Sequence, residues 1–485
     1  MTSPLSSPRL RRVLTAYTIN RLGTWFGLLA LLLAVFDHTH SAIAVAALLF
    51  AGQALPAFVV PALVARVEAS SRGGELSGLY FFEAVVTALL AVLLWHFWLP
   101  AVLLLVALDG TAALAASALL RAEVARIARE DTAGTPAPSN AAEPSPQGGP
   151  DPAPSETLVT SEALAASEAL VASEAGADEG RGGDGSPEDE RGHEAERRAN
   201  AALNVAFSTT FVLGPVLGGA MVAAVGAPAT LFVDVGSFLV CGALLLDLHP
   251  HVEEAGGDSV RARLSAAWKH ITETPSLPGL LIAEGFALVF FESAGPIEVT
   301  FAEATLHAGD RGFGLLLTSW GAGAVIGSLV FARSLRKPLG ALLSGGTLAV
   351  GLAYIGFAAS PSLLVACGAA LVGGIGNGVE LPSLISIVQR LTPPALHGRM
   401  MGAVESLGAV CVAIGFPLGG ILVALSSPRE AFLAVGLGAV ASAGALLVLA
   451  PKGVGPGSDD GADAVGAKGP ERASGAASQR EPATT

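Results

Sequence analysis

The sequence predicts an all-α membrane protein of twelve transmembrane helices, arranged as two pseudo-symmetric six-helix bundles. Three observations carry that expectation. Of the 485 residues, 52% are hydrophobic and only 14% charged, whereas a soluble domain carries about 25% charged residues. The apolar residues fall in long runs, and a run of about 20 spans the hydrocarbon core as a helix, the one open-ended structure that pairs every backbone N–H internally in lipid. Finally, Lys and Arg recur in every second connection between the runs.

The expected spans follow the apolar runs in order. The first bundle takes spans 1 to 6, at about 13–36, 41–65, 76–98, 100–121, 203–225 and 228–248. The second takes spans 7 to 12, at about 277–300, 312–333, 340–359, 362–388, 402–425 and 430–450. Trp95 and Trp98 close span 3, as interfacial aromatics do. The first apolar run is long and lacks a small-residue cleavage site after it, so it reads as span 1 and not as a signal peptide.

Basic residues set the orientation. Arg9, Arg11 and Arg12 precede span 1. Arg66 and Arg72 lie between spans 2 and 3, and Arg121, Arg126, Arg129, Arg197 and Arg198 between spans 4 and 5. Arg261, Arg263 and Lys269 lie between spans 6 and 7. Arg333, Arg336 and Lys337 follow span 8, and Arg390 and Arg399 flank the loop after span 10. The other side carries Arg311 and Arg429. The sequence therefore places both termini, and the 4–5 connection, on the cytoplasmic face of the cell membrane.

The expected organisation is residues 1–129 for spans 1–4, 130–196 for a disordered acidic insert, and 197–250 for spans 5–6. Residues 251–276 form an inter-bundle linker, 277–450 spans 7–12, and 451–485 a disordered tail. Much of the formal charge of −14 belongs to the insert: from Glu123 to Glu196, seventeen Asp/Glu stand against four Arg. It lacks aromatic residues and repeats a six-residue unit (Ser161-Glu162-Ala163-Leu164, then Ser167-Glu168-Ala169-Leu170). Such a segment buries too little apolar area to offset its ordering entropy. It reads as a spacer or as a partner-binding segment.

Several classes of function find no support. No basic surface interleaved with aromatics points to nucleic acid. No Gly-Lys-Ser/Thr phosphate loop points to an ATP-driven pump, and no nucleophile and base constellation points to an enzyme. The nine histidines show no ligand spacing, so neither a metal nor a cofactor is expected. Cys241, Cys367 and Cys411 lie inside apolar runs and read as small buried hydrophobes.

Ionisable groups inside spans are costly and mark function by default. Asp109, midway along span 4, has the chemistry a proton-coupled carrier needs; the alternative is a structural hydrogen bond between helices. Glu83 in span 3, Glu284 and Glu292 in span 7, Glu380 with Asn377 in span 10, and Glu405 in span 11 are further candidates for proton coupling or a substrate cavity. Glu284 and Glu292 are eight residues apart, about 80° in projection. Glu298 and Glu303 lie near the outer surface and read as solvated. Arg21 in span 1 needs a carboxylate or carbonyl partner, with Glu83, Glu284 and Glu405 at comparable depth; with Arg66 and Arg399 it forms the set of gate or ion-pair candidates. Pro215, Gly218 and Gly219 in span 5, with Gly214 before them, recur as Pro417, Gly419 and Gly420 in span 11. Proline removes an intrahelical hydrogen bond and glycine permits close helix approach. A parallel repeat of this kind is a transporter signature.

The chain resembles the major facilitator superfamily, and within it the macrolide-efflux and enterobactin-exporter branch. The resemblance rests on Asn200-Ala201-Ala202-Leu203 through Gly214-Pro215-Val216-Leu217-Gly218-Gly219, on Phe232-Val233-Asp234-Val235-Gly236-Ser237-Phe238, on Gly321-Ala322-Gly323-Ala324-Val325-Ile326-Gly327, and on Gln389-Arg390-Leu391-Thr392-Pro393 with Gly398-Arg399-Met400-Met401-Gly402. It covers the chain except the insert and tail. The family's loop between spans 2 and 3 usually carries an Asp where Ala65 stands, and its span 5 motif has glycines where Ala201 and Thr210 stand. The resemblance implies a monomeric secondary transporter in the lipid bilayer, exporting an amphipathic small molecule (drug, macrolide or siderophore-like) against protons by alternating access. A receptor or scaffold acting through the acidic loop, and an importer or lipid flippase, are the alternatives.

Overall fold

The computed structural model describes residues 8–59, 75–133, 187–246, 260–334, 337–393 and 396–450. The expected span 2–3 loop with Arg66, the middle of the insert (134–186) and the tail (451–485) lie outside these. Eleven of the described helices are long and apolar enough to cross a membrane. The place of span 5 is taken by the shorter apolar stretch Thr209–Val225, the distal half of helix Pro187–Val225.

Two boundaries differ from the sequence expectation. The helix of span 4 runs on to Ala133, and the helix of span 5 begins at Pro187. Both ends of the expected disordered insert are therefore helical. Pro187 followed by Glu188, Asp189 and Glu190 explains the second: proline suits the first helical position, and acids there complement the helix dipole. The linker also contains a helix, Val260–Glu273. Span 2 is Ala42–Val59, with one π-helical turn at Phe50–Ala54. Spans 7 to 12 are Leu277–Thr300, Gly309–Arg333, Leu339–Ala359, Leu363–Arg390, His397–Leu425 and Pro428–Leu449.

The two halves pack by the same plan. In the first, span 1 packs on spans 5 and 6, span 2 on span 4, and span 3 on spans 4 and 6. In the second, span 7 packs on 11 and 12, span 8 on 10, and span 9 on 10 and 12. The halves meet where span 5 lies on span 8 and, by the same two-fold relation, span 11 lies on span 2.

Those two seams are made by glycine. A Cβ on Gly314 of span 8 would sit 2.7 Å from the carbonyl oxygen of Pro215 and 3.3 Å from the Cα of Gly219. A Cβ on Gly420 of span 11 would sit 3.1 Å from the carbonyl of Ala42 in span 2. Pro215 also leaves the Phe211 carbonyl without its intrahelical donor, and Gly321 of span 8 packs against that carbonyl. Pro215 and Pro417 both lie inside continuous helices. The other expected packing residues do the same work nearer their own half: Gly214 and Gly218 receive Trp25 of span 1, and Gly419 approaches Ser293 of span 7.

The apolar core divides unevenly along the bundle axis. Near the ends of spans 1, 2, 7 and 12 remote from the termini, one cluster joins both halves, from Leu33 and Leu49 to Phe301, Phe416 and Phe432. At the end bearing the termini there are two clusters, one per half: around Tyr80, Leu120 and Phe238, and around Leu280, Phe331 and Ile387. The halves are thus sealed at one end and parted at the other.

Candidate functional site

A cavity of about 580 Å³ occupies the parting, lined mainly by the first half and closed on the other side by Ala409 and Val412 of span 11. Most of its wall is apolar. The π turn of span 2 brings Gly52 and Gln53 to the wall; such turns recur at functional sites. Gly110 of span 4 packs against the Gly52 carbonyl, so its missing side chain lets spans 2 and 4 close around the cavity.

Two carboxylates face this space. Asp109 of span 4 accepts a hydrogen bond from Thr87 Oγ1 of span 3 at 3.2 Å. Asp234 of span 6 accepts one from Ser237 Oγ at 3.0 Å and lies across Gly23 and Gly27 of span 1. Any side chain at those two glycines would meet the carboxylate, which explains a four-residue glycine spacing on the face span 1 turns to span 6. Glu83 of span 3 stands behind them, 1% exposed, and interacts electrostatically with both. Its Oε2 has no hydrogen-bond partner.

The opposite wall is aromatic and cationic. Trp25 of span 1 meets Phe211 of span 5 edge to face at 5.5 Å, and Phe211 stacks on Phe207 at 5.8 Å. Arg21 holds its guanidinium 4.9 Å over the Phe207 ring. The cavity thus offers an apolar body, a π surface and groups of both signs.

The sequence candidates separate into three sets. Asp109 and Arg21 line opposite walls of the cavity, and Glu83 is buried behind Asp109. Glu284 and Glu380 are buried inside the second half, where Thr347 Oγ1 donates to Glu380 Oε1 at 2.8 Å; Glu292 and Asn377 are half-buried there, Glu292 against Gly415 of span 11. Glu405 is exposed and Arg399 half-buried near the start of span 11. Of the partners expected for Arg21, Glu284 is buried in the second half, and Glu405 is exposed on the face of span 11 that carries the cavity residues Ala409 and Val412. Glu298 and Glu303, expected to be solvated, are half-buried, because span 7 continues into a π turn at Phe301–Thr305 packed in the shared core.

Asp234 was not among the sequence candidates. It stood in the sequence as part of a family motif, but the rule that singled out Asp109, an acid within an apolar span, applies to it equally. Among the described residues no group of three or more His, Cys, Asp or Glu is placed to hold a metal. Cys241 and Cys411 are buried and Cys367 half-buried, all as free thiols.

Comparison with known proteins bears on this arrangement. Residues 280–477 match the sequence profile of the Major Facilitator Superfamily. The multidrug efflux pump Tap of Mycolicibacterium fortuitum is 28% identical over 255 residues, 49% of this chain and 60% of that protein. Tap of Mycobacterium tuberculosis (strain ATCC 25618 / H37Rv) is 26% identical over 260 residues, 50% of this chain and 58% of the relative. The matches thus span about three fifths of those curated relatives. Among solved structures, the nucleoside transporter NupG superposes with a TM-score of 0.61 at 12% identity, covering 91% of this chain and 99% of that one. A bacterial homolog of the human lysosomal transporter Spinster, in an inward-facing occupied conformation, superposes at 0.60 with 11% identity over 93% and 97%. These likenesses show the fold.

Proposed function

We propose that this chain, a transporter of the major facilitator superfamily, exports an amphipathic small molecule across the cell membrane in exchange for protons. The observation that carries the reading is the cavity between the halves: apolar walls, the Trp25–Phe211 surface and the carboxylates Asp109 and Asp234. An amphipathic molecule buries its apolar body there and places a polar or cationic group at the carboxylates. The efflux pumps to which the chain is similar support the direction. So does the distribution of basic residues, which supports a cytoplasmic position for the open end of the cavity, the side from which an exporter loads.

The cycle alternates the two seams. With the halves closed through Gly314 and Gly420, substrate enters from the cytoplasm and lies against ionised Asp109. Rocking closes the parted end and opens the sealed one. A proton arriving at Asp109 from outside then replaces the substrate's polar group, and the neutral carboxyl lets the halves return. Glu83, behind Asp109 and Asp234, takes or yields that proton. The monomer is sufficient, because the cavity is built from one chain.

The test is transport of ethidium by the purified protein in liposomes under an imposed pH gradient. Wild type moves ethidium only while the gradient lasts. Asp109→Asn, which keeps shape and hydrogen-bonding capacity but cannot ionise, binds ethidium yet loses gradient-driven movement. Unchanged flux in Asp109→Asn would remove that residue from coupling, and flux without any gradient would remove proton exchange.

A further inference from the structure

The helix Val260–Glu273, in the connection between the halves, does not line the cavity. Its last turns are fixed to the second half. Ala267 is 2% and Ile271 9% exposed, and Ile271 packs in the cluster of Leu277, Leu280, Leu339 and Ile387. The His270 ring Nε2 lies 3.0 Å from the carbonyl oxygen of Leu391, the residue after span 10. The helix thus ends level with the starts of spans 7 and 9 and the finish of span 10. Only residues 274–276 separate Glu273 from Leu277. That level is the boundary between bilayer and water, where the apolar runs give way to polar chain.

The remaining face of the helix is aromatic and basic. Trp268 is 69% exposed. It stands about 60° around the axis from Ile271, at the edge where the helix meets its support. The Lys269 side chain is 74% exposed, on the far side at about 160° from Ile271. Its contact with Glu273, at 3.8 Å, is a surface pair of little weight. The helix carries Arg261, Arg263 and Lys269 against one acid, Glu273, and Arg333, Lys337 and Arg390 are exposed at the same end of the second half. An indole at this depth sits among headgroups and the tops of acyl chains, and bases beside it meet a negatively charged leaflet.

We propose that this helix docks on anionic phospholipid at the face of the membrane that bears the termini, with Trp268 inserted at headgroup depth and Lys269 reaching the lipid phosphates. The occupant is lipid because the anchor lies at the bilayer boundary and joins an aromatic ring to cations. The inference does not rest on the export reading; it gives the second half a hold on the membrane surface.

The experiment places the purified full-length protein in nanodiscs and reads Trp268 as the difference in tryptophan emission between wild type and Trp268→Phe. The discs are phosphatidylcholine with a titrated fraction of either phosphatidylglycerol or phosphatidylcholine brominated near the top of its acyl chains. Brominated phosphatidylglycerol quenches the Trp268 signal at about fivefold lower mole fraction than brominated phosphatidylcholine, the preference that one basic residue confers at an anionic surface. Lys269→Gln removes most of that preference and keeps the wild-type melting temperature, because the side chain is exposed. No quenching by either lipid, equal quenching by both, or a preference unchanged in Lys269→Gln each overturns the docking. So does a Trp268 signal that ignores lipid and shifts on deletion of residues 135–185, which would make the acidic insert the cover of this face. These readings need no transport, so they stand whether or not the chain moves ethidium.

Discussion

The Gly314 seam converts directly into a conformational prediction. Replacing Gly314 by Ala adds one Cβ that would lie 2.7 Å from the Pro215 carbonyl oxygen and 3.3 Å from the Gly219 Cα. These are backbone atoms of span 5, so no side chain can swing aside and the halves must separate at that point. Overpacking of this kind costs about 1–3 kcal/mol. Alanine also gains about 0.8–1 kcal/mol of helix propensity over glycine, but span 8 is helical in both states of an alternating cycle, so that gain cancels from their ratio. The clash falls only on the state sealed at the Gly314 end. At 1.4 kcal/mol per tenfold, Gly314→Ala shifts the population away from that state by roughly 5- to 150-fold. The assay is electron–electron spin distance measurement between labels at Asp37→Cys and Ser426→Cys, exposed positions at the sealed end, with Cys241, Cys367 and Cys411 replaced by Ala. The long-distance population grows in Gly314→Ala and not in Gly444→Ala, where an added Cβ meets nothing within 4 Å. Identical distance distributions in the two variants would refute the seam as a determinant of the conformational balance.

Three further outcomes follow from the same structure. Trp25→Ala removes the ring that faces Phe211, and with it about 1–2 kcal/mol of contact with an aromatic cation, so ethidium affinity by fluorescence polarisation falls roughly 5- to 30-fold. Glu123→Gln breaks the two-pronged contact with Arg126, whose Nε donates at 3.0 Å and whose Nη2 lies 2.5 Å from the other oxygen. Glu123 is 1% exposed while Arg126 is partly open, so the loss is about 1–3 kcal/mol, read as a lower melting temperature with ethidium affinity unchanged. Deleting residues 135–185 leaves both flanking helices intact and leaves ethidium flux within about twofold of wild type, since loop-closure entropy changes slowly with length; a loss of flux would assign the insert a role in transport.

What the sequence made legible is the place and order of the apolar helices, because a membrane imposes one length and one composition on every crossing. What it left hidden is direction around each helix axis. Glu405 and Glu83 sit at similar depth near the starts of their spans, yet one is exposed and the other sealed beneath Asp109 and Asp234; depth is read from position along a run, azimuth only from packing. Asp234 was hidden for another reason: inside a motif it read as a family mark and not as a buried acid. The matched bonds Thr87–Asp109 and Thr347–Glu380 were hidden because their spacings are 22 and 33 residues. The two halves keep the same helix pairs while the register along each pair has drifted, so the repeat survives in space and not in sequence distance.

That drift bears on how the halves divide the work. In the first, Asp109 is half-buried and borders the cavity, where a substrate can reach it. In the second, the equivalent Glu380 is buried against span 9, with Gly346 leaving room for its Cβ and the Thr347 hydroxyl as its hydrogen-bond partner. A two-fold related pair in which one acid borders the cavity and the other is closed to it divides the work of the halves: under the exchange proposed above, substrate and proton meet at Asp109, and the seams at Gly314 and Gly420 respond to which of them is bound.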